Sequence, residues 1–210
     1  MPDSSTIGLV AGSSVLSAAL TQRSSVVRDW LKRRRDAAFS ALYAALTLEA
    51  YARQCSDYVS DSETYDASDH SAGAPRGSLP DKPVFAETID WNALGVETTT
   101  SCLSLLVEID MADQKIAAEF EFVDEDAGVA EMRRAAVGIA LRAFALACSL
   151  RKMHRVEALK LDAEWNFLVY LKERKQHYAD LAAKRAEWSA ALLKNMTSGA
   201  LAVAPDRTDP

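Results

Sequence analysis

Apolar and polar residues recur with helical period along most of the chain. Between Ser5 and Val59 there is no proline, and after Gly12 no glycine, so the spacing predicts one long first helix. Phe39, Leu42, Leu46 and Ala50 form its apolar stripe and are expected to face the core. The pattern fades at "SDYVSDSETYDASDHSAGAPRGSLPDKPVFAET", whose acids, serines and prolines predict a long, solvated acidic loop over residues 60–88. In "IDWNALG", Asp90 is suited to cap a single turn, Trp91 and Leu94 to dock it, and Gly95 to end it.

A second helix is expected from Glu97 to Phe122, with Cys102, Leu106, Ile109, Ile116 and Phe120 on one seam and Asp113 among them. "VDEDAG" reads as a turn. The third helix, Val129 to Met153, is apolar on most sides, with a narrow polar stripe of Glu131, Arg134, Arg142, Ser149 and Lys152. Asp162 is placed to cap a fourth helix reaching Met196, on a stripe of Trp165, Leu168, Leu171, Tyr178, Leu181, Trp188 and Leu192. Four amphipathic helices with short connections after the second and third predict an all-α fold, an antiparallel four-helix bundle with an extended N-terminal helix. The expected divisions are residues 1–36 as an N-terminal helix with a basic segment, 37–196 as the bundle, and 197–210 as a disordered tail.

Composition sharpens this picture in two places. The net charge of −6 over 210 residues hides an asymmetry. Eighteen acids lie between Asp57 and Glu131 against only Arg76, Lys82 and Lys115, while 13 bases and 6 acids from Arg133 to Lys194 leave +7. Acidic and basic faces can therefore pair within the chain, and the basic parts need no nucleic acid to explain them. Cys55, Cys102 and Cys148 are odd in number, far apart and set among apolar neighbours, which predicts buried, reduced thiols.

Candidate chemistry is sparse. Di-iron bundles need Glu-x-x-His pairs, but the residues three before His70, His154 and His177 are Ala67, Arg151 and Arg174. Glu173 and His177 sit four apart in a solvated segment, and Ser149-x-x-Lys152 lacks the companion motifs of Ser/Lys enzymes. The acids Asp57, Asp61, Glu63, Asp66 and Asp69 lack the spacing of a calcium loop. No cofactor is expected, and no residue is assigned a catalytic role. Asp113 is the one polar group placed on a buried stripe, read as a rim position or a salt-bridge partner for a basic residue such as Arg142.

The uncharged stretch "TIGLVAGSSVLSAALTQ" carries the remaining question. Ile7, Leu9, Val10, Val15, Leu16 and Leu20 supply about −2 to −3.5 kcal/mol of insertion free energy, a marginal span. Three features favour a single-pass anchor with the bundle in the cytoplasm of a bacterium. They are the one-sided basic flank Arg28, Lys32, Arg33, Arg34 and Arg35, the interfacial Trp30, and the small-residue face begun by Gly8 and Gly12. Against it, Leu9, Leu16, Leu20, Val27 and Leu31 make one ridge crossing into the basic segment, as in a soluble coiled coil. The partners expected are the membrane surface, a second copy through the first helix, and an unidentified protein. The order of "RRRDAAFSALYAALTLEAYARQC", an acidic loop, "LPDKPVFAETIDWNALG" and "ALKLDAEWNFL" resembles a group of bacterial helical proteins; this resemblance implies no activity and assigns no residue a role. A non-enzymatic, membrane-anchored interaction module is the function expected; the alternatives are a soluble cytoplasmic helical oligomer and, behind it, metal or carboxylate chemistry around Asp113.

Overall fold

The computed structural model describes the backbone of residues 4–161 and 166–201, and their side chains except those of 4–27, 29 and 195–201. Among the described residues the chain is all-α, without strands, in five helices. These are α1 Ser4–Ala67, α2 Trp91–Leu94, α3 Val96–Phe122, α4 Glu125–His154 and α5 Phe167–Leu201. The chain forms two compact units, and α1, α3 and α4 contribute residues to each.

Local chemistry sets the helix ends. At the end of α1, Asp69 and His70 take positive φ (51° and 68°) and the His70 N–H donates to the Tyr65 carbonyl at 2.9 Å. α4 ends likewise at Arg155 (φ 55°), with the Val156 N–H donating to the Arg151 carbonyl at 2.8 Å. Both are left-handed caps closing a six-residue ring over the last turn. Asp90 caps α2 as expected, its Oδ1 accepting from the N–H groups of Asn92 and Ala93, and Gly95 ends it at φ 85°. Asp124 caps α4, which shortens the expected turn to Val123 and Asp124. Asn166 caps α5 through its Oδ1; the expected cap, Asp162, and Trp165 lie outside the described residues.

The first unit comprises Met1–Ala52, Asp81–Asp110 and Arg142–Lys160. Its core overturns the expected orientation of α1. Ala41, Ala44, Ala45, Leu48 and Ala52 are fully buried, whereas Phe39, Leu46 and Ala50 are exposed and Leu42 is only half-buried. The helix carries two apolar faces, one of small residues and one of large. The small face is turned inward, because alanines let helix backbones approach closely. α4 contributes Ala143, Ala147 and Leu150 to the same core. α1 and α4 are joined by a buried bidentate pair, Arg151 Nε to Glu49 Oε1 at 2.6 Å and Nη2 to Oε2 at 2.8 Å. Arg151 Nη1 also donates to the Glu157 carbonyl at 2.6 Å, so the pair ties down the chain beyond α4. Ser40 Oγ accepts from the Asp90 N–H, seating α2 against α1.

The second unit comprises Arg53–Pro80, Met111–Leu141 and Leu161–Pro210. Here α1 persists through Ala67, so Asp61, Glu63 and Asp66 stand on its last turns and not in the expected acidic loop. Each is neutralised: Asp61 by Arg76 at 2.8 Å, Glu63 by Arg174 at 3.2 Å, and Asp66 by Arg133 at 2.6 Å. That pairing removes the repulsion that would end the helix early. The segment after α1 folds back on it at Gly73 (φ 78°), where an added Cβ would lie 2.3 Å from the Asp61 carbonyl oxygen. Asp113 is half-buried and Oδ1 accepts from the Leu79 N–H at 3.0 Å; among the described residues no helix cation pairs with it, and Arg142 instead meets Glu108 within the first unit.

Removing one member of a desolvated pair strands the other charge. Arg151→Met should therefore lower urea-unfolding stability by about 3–5 kcal/mol, and adding Glu49→Leu should restore most of the loss. Gly73→Ala combines a left-handed backbone with a clash and should cost about 2 kcal/mol in the same measurement.

Candidate functional site

Two arrangements stand out, one chemical and one a surface. The chemical one lies in the second unit, around Glu63. Its Oε1 accepts from the Tyr178 hydroxyl at 2.5 Å, and its Oε2 accepts from Tyr170 at 3.1 Å and faces Arg174 Nε at 3.2 Å. Tyr170, Arg174 and Tyr178 are four residues apart in succession, so one face of α5 presents all three. On the neighbouring turn of α1, Ser62 Oγ accepts from Arg133 Nε at 2.9 Å, and the Ser62 carbonyl accepts from Nη2 at 2.7 Å. The same Nη2 reaches Asp66.

This network holds tyrosines as neutral donors. Burial, then the negative charge of Glu63 and the hydrogen bond to it, pushes the Tyr170 phenol up to about 12. Burial, followed by the hydrogen bond to Glu63, raises Tyr178 further. A phenol shifted this way is a weaker acid that stays protonated near neutrality, and the Glu63 carboxylate accepts from both phenols while pairing with Arg174. The arrangement is suited to cross-linking α1, α4 and α5. Beside it runs a cleft of about 420 Å³, whose walls include Tyr65, His70, Arg133, Tyr178 and Arg185. His70 stacks on Tyr65 with ring centroids 4.4 Å apart. Among the described residues no group of three or more His, Cys, Asp or Glu side chains is placed to hold a metal.

The surface arrangement is the outer face of α1. Phe39, Tyr43, Leu46 and Ala50 follow at four, three and four residues, within an arc of about 60° at 100° per residue. That arc is opposite the buried alanines. Phe39 is 55% exposed, Tyr43 49% and Leu46 44%, so these three large side chains face away from the core while Leu48 and Tyr51 face into it.

The residues singled out in sequence fall as follows. Ile7, Gly8, Leu9, Gly12, Val15, Leu16 and Leu20 belong to the backbone of α1, but their side chains lie outside the described residues. Among the described residues no helix is long and apolar enough to cross a membrane. Arg28, Lys32, Arg33, Arg34 and Arg35 are exposed, and Trp30 is 56% exposed with the Arg34 guanidinium 5.4 Å from its ring centroid. Cys55 and Cys102 are buried, with Cys102 pushed up to about 11 by burial. Cys148 is free but exposed, contrary to expectation, because it falls on the outward side of α4 beside Ser149 and Lys152. Glu173 and His177 are exposed. The Glu63 network was not foreseen, since Glu63 was assigned to a loop; the available signal was the four-residue repeat of Tyr170, Arg174 and Tyr178.

No known family model, curated protein or solved structure matches the chain. Residue roles therefore rest on geometry.

The raised tyrosines make a signed prediction. Their contribution to stability is fully present below the unfolded phenol value near 10 and is lost as pH rises toward about 12, where Tyr170 titrates. Urea unfolding from pH 8 to 12 should show this fall, and Tyr170→Phe with Tyr178→Phe should flatten it.

Proposed function

We propose that this protein is a non-enzymatic interaction module that docks through the outer face of its first helix. The observation carrying this reading is the exposure of Phe39, Tyr43 and Leu46 opposite the buried face of Ala41, Ala44, Ala45 and Leu48. Their burial in a docked state is favoured by roughly 1.5–3 kcal/mol for each large side chain fully covered. The scaffold we infer behind this face is the antiparallel four-helix arrangement of α1, α3, α4 and α5. The pairs Glu108–Arg142 and Lys115–Glu131, one in each unit, support its α3–α4 hairpin.

A second reading, attachment of residues 6–22 to a bacterial inner membrane, is favoured by the exposed basic run Lys32–Arg35 beside Trp30. From Gln22 to Ala37, the first buried core residue of α1 among the described side chains, is about 22 Å of helix, which would set that core clear of the lipid headgroups. Fractionation of the full chain tests this directly: recovery without detergent at physiological salt would end the anchor reading and leave the docking reading intact.

The docking reading has its own measurement. At concentrations low enough to keep the chain monomeric, Phe39→Ser with Leu46→Ser should change urea-unfolding stability by less than about 1 kcal/mol. Leu48→Ala, on the buried face, should cost about 2–5 kcal/mol. A loss from the double variant as large as that from Leu48→Ala would mean that the face is packed internally, and the docking reading would fail.

A further inference from the structure

The outer stripe of α1 does not end with its apolar residues. The same alternation of four and three residues runs Lys32, Asp36, Phe39, Tyr43, Leu46, Ala50, Arg53, Asp57 along one uninterrupted helix. Lys32, Arg53 and Asp57 are exposed, and Asp36 is half-buried. The stripe therefore has an apolar centre with a base and an acid at each end, in the order Lys, Asp before it and Arg, Asp after it.

Two copies of such a stripe can meet in parallel or antiparallel. In parallel, each residue faces its own counterpart, so Lys32, Asp36, Arg53 and Asp57 would each meet a like charge. In antiparallel alignment about the midpoint between Tyr43 and Leu46, Tyr43 faces Leu46 and Phe39 faces Ala50. Asp36 then meets Arg53 and Lys32 meets Asp57. Every layer alternates the two positions of the seam, as antiparallel two-stranded helix packing requires, and every charged layer is an opposite pair. The large residues also meet small or medium ones across the axis at Phe39–Ala50, which lets the helices approach.

We propose that the partner of this face is a second copy of the same chain, seated antiparallel with Tyr43 against Leu46 of the second copy. The inference rests on the outer face being a docking surface, and it adds the partner, the orientation and the register. A twofold axis perpendicular to α1 passes between Ala44 and Ala45. The contact is isologous and closes at two copies, so it produces a dimer and not a filament. Polar layers at the ends of an apolar seam select orientation and register, here against the parallel alternative. One consequence follows for the N-terminal segments. They leave the pair at opposite ends, so two straight helices paired this way cannot both enter the same face of one flat bilayer.

Sedimentation equilibrium of the full chain, with the charge variants, tests the proposal. The expected result is a reversible monomer–dimer equilibrium that Leu46→Glu weakens at least tenfold. Arg53→Asp places an acid against Asp36 and should weaken the dimer roughly tenfold, since two such layers occur per pair. Asp36→Arg combined with Arg53→Asp restores opposite charges in that layer and should recover most of the loss. Circular dichroism of each variant checks that the helices persist. A chain that stays monomeric to millimolar concentration overturns the proposal, as does a dimer indifferent to Leu46→Glu, or one that the double exchange leaves as weak as the single. A monomer that instead floats with anionic vesicles through this face would assign the face to lipid and likewise overturn it. In each of these cases the unfolding measurement on Phe39→Ser with Leu46→Ser still decides separately whether the face is a docking surface at all.

Discussion

The packing of the inner face of α1 against α4, marked by the buried Glu49–Arg151 pair, is the constraint from which the remaining arrangement follows. This face buries Leu48 and Tyr51 beside Ala41, Ala44, Ala45 and Ala52, so it combines two large side chains with small ones that each remove little apolar area from water. Proximity is what places Glu49 and Arg151 within hydrogen-bond distance deep in the first unit. Substituting a larger residue on that face would separate the helices and leave the ion pair with its desolvation cost but without its geometry. The hydrogen bonds to Glu49 act to hold Arg151 charged against burial, and the carbonyl of Glu157 occupies part of the guanidinium fork that Glu49 does not.

The second unit reaches the same end by different means. Its inner face on α1 is more polar, with Ser56 and Ser62 buried beside Val59. Arg133 and the α5 donors satisfy the acids that crowd the end of α1. The charge asymmetry read along the chain thus becomes a set of specific cross-links, Asp66 to Arg133 and Glu63 to Arg174, Tyr170 and Tyr178. Glu63 accepts from two phenols that are held neutral, which suits them to joining helices rather than to proton transfer at physiological pH. Attention then passes from reactive groups to a surface, the exposed outer stripe of α1.

Legibility in the sequence varied with the kind of information each feature carries. The helices were visible because period and breakers are local: Asp90 and Gly95 bound α2 where expected, and α3 begins within a residue of its expected start. The end of α1 was misplaced by eight residues because acids and serines suggest a loop unless their partners are known. Arg76, Arg133 and Arg174 lie far along the chain. Asp113 was correctly singled out as unusual, yet its partner is a backbone N–H at Leu79, which no side-chain pattern announces.

The hardest matter was which side of α1 faces inward. By itself the sequence determined that the chain is helical, where most helices begin, that its charges can be balanced internally, and that α1 bears two apolar faces. Only the tertiary structure decided between those faces. Hydropathy favours burying Phe39, Leu42 and Leu46, since they remove more apolar area from water. The neighbouring helix presents alanines and an arginine that must reach Glu49, and this is satisfied only at short separation. The distance between two backbones is a property of the pair, and no single segment encodes it, so Phe39, Tyr43 and Leu46 face outward while Leu48 and Tyr51 pack inward.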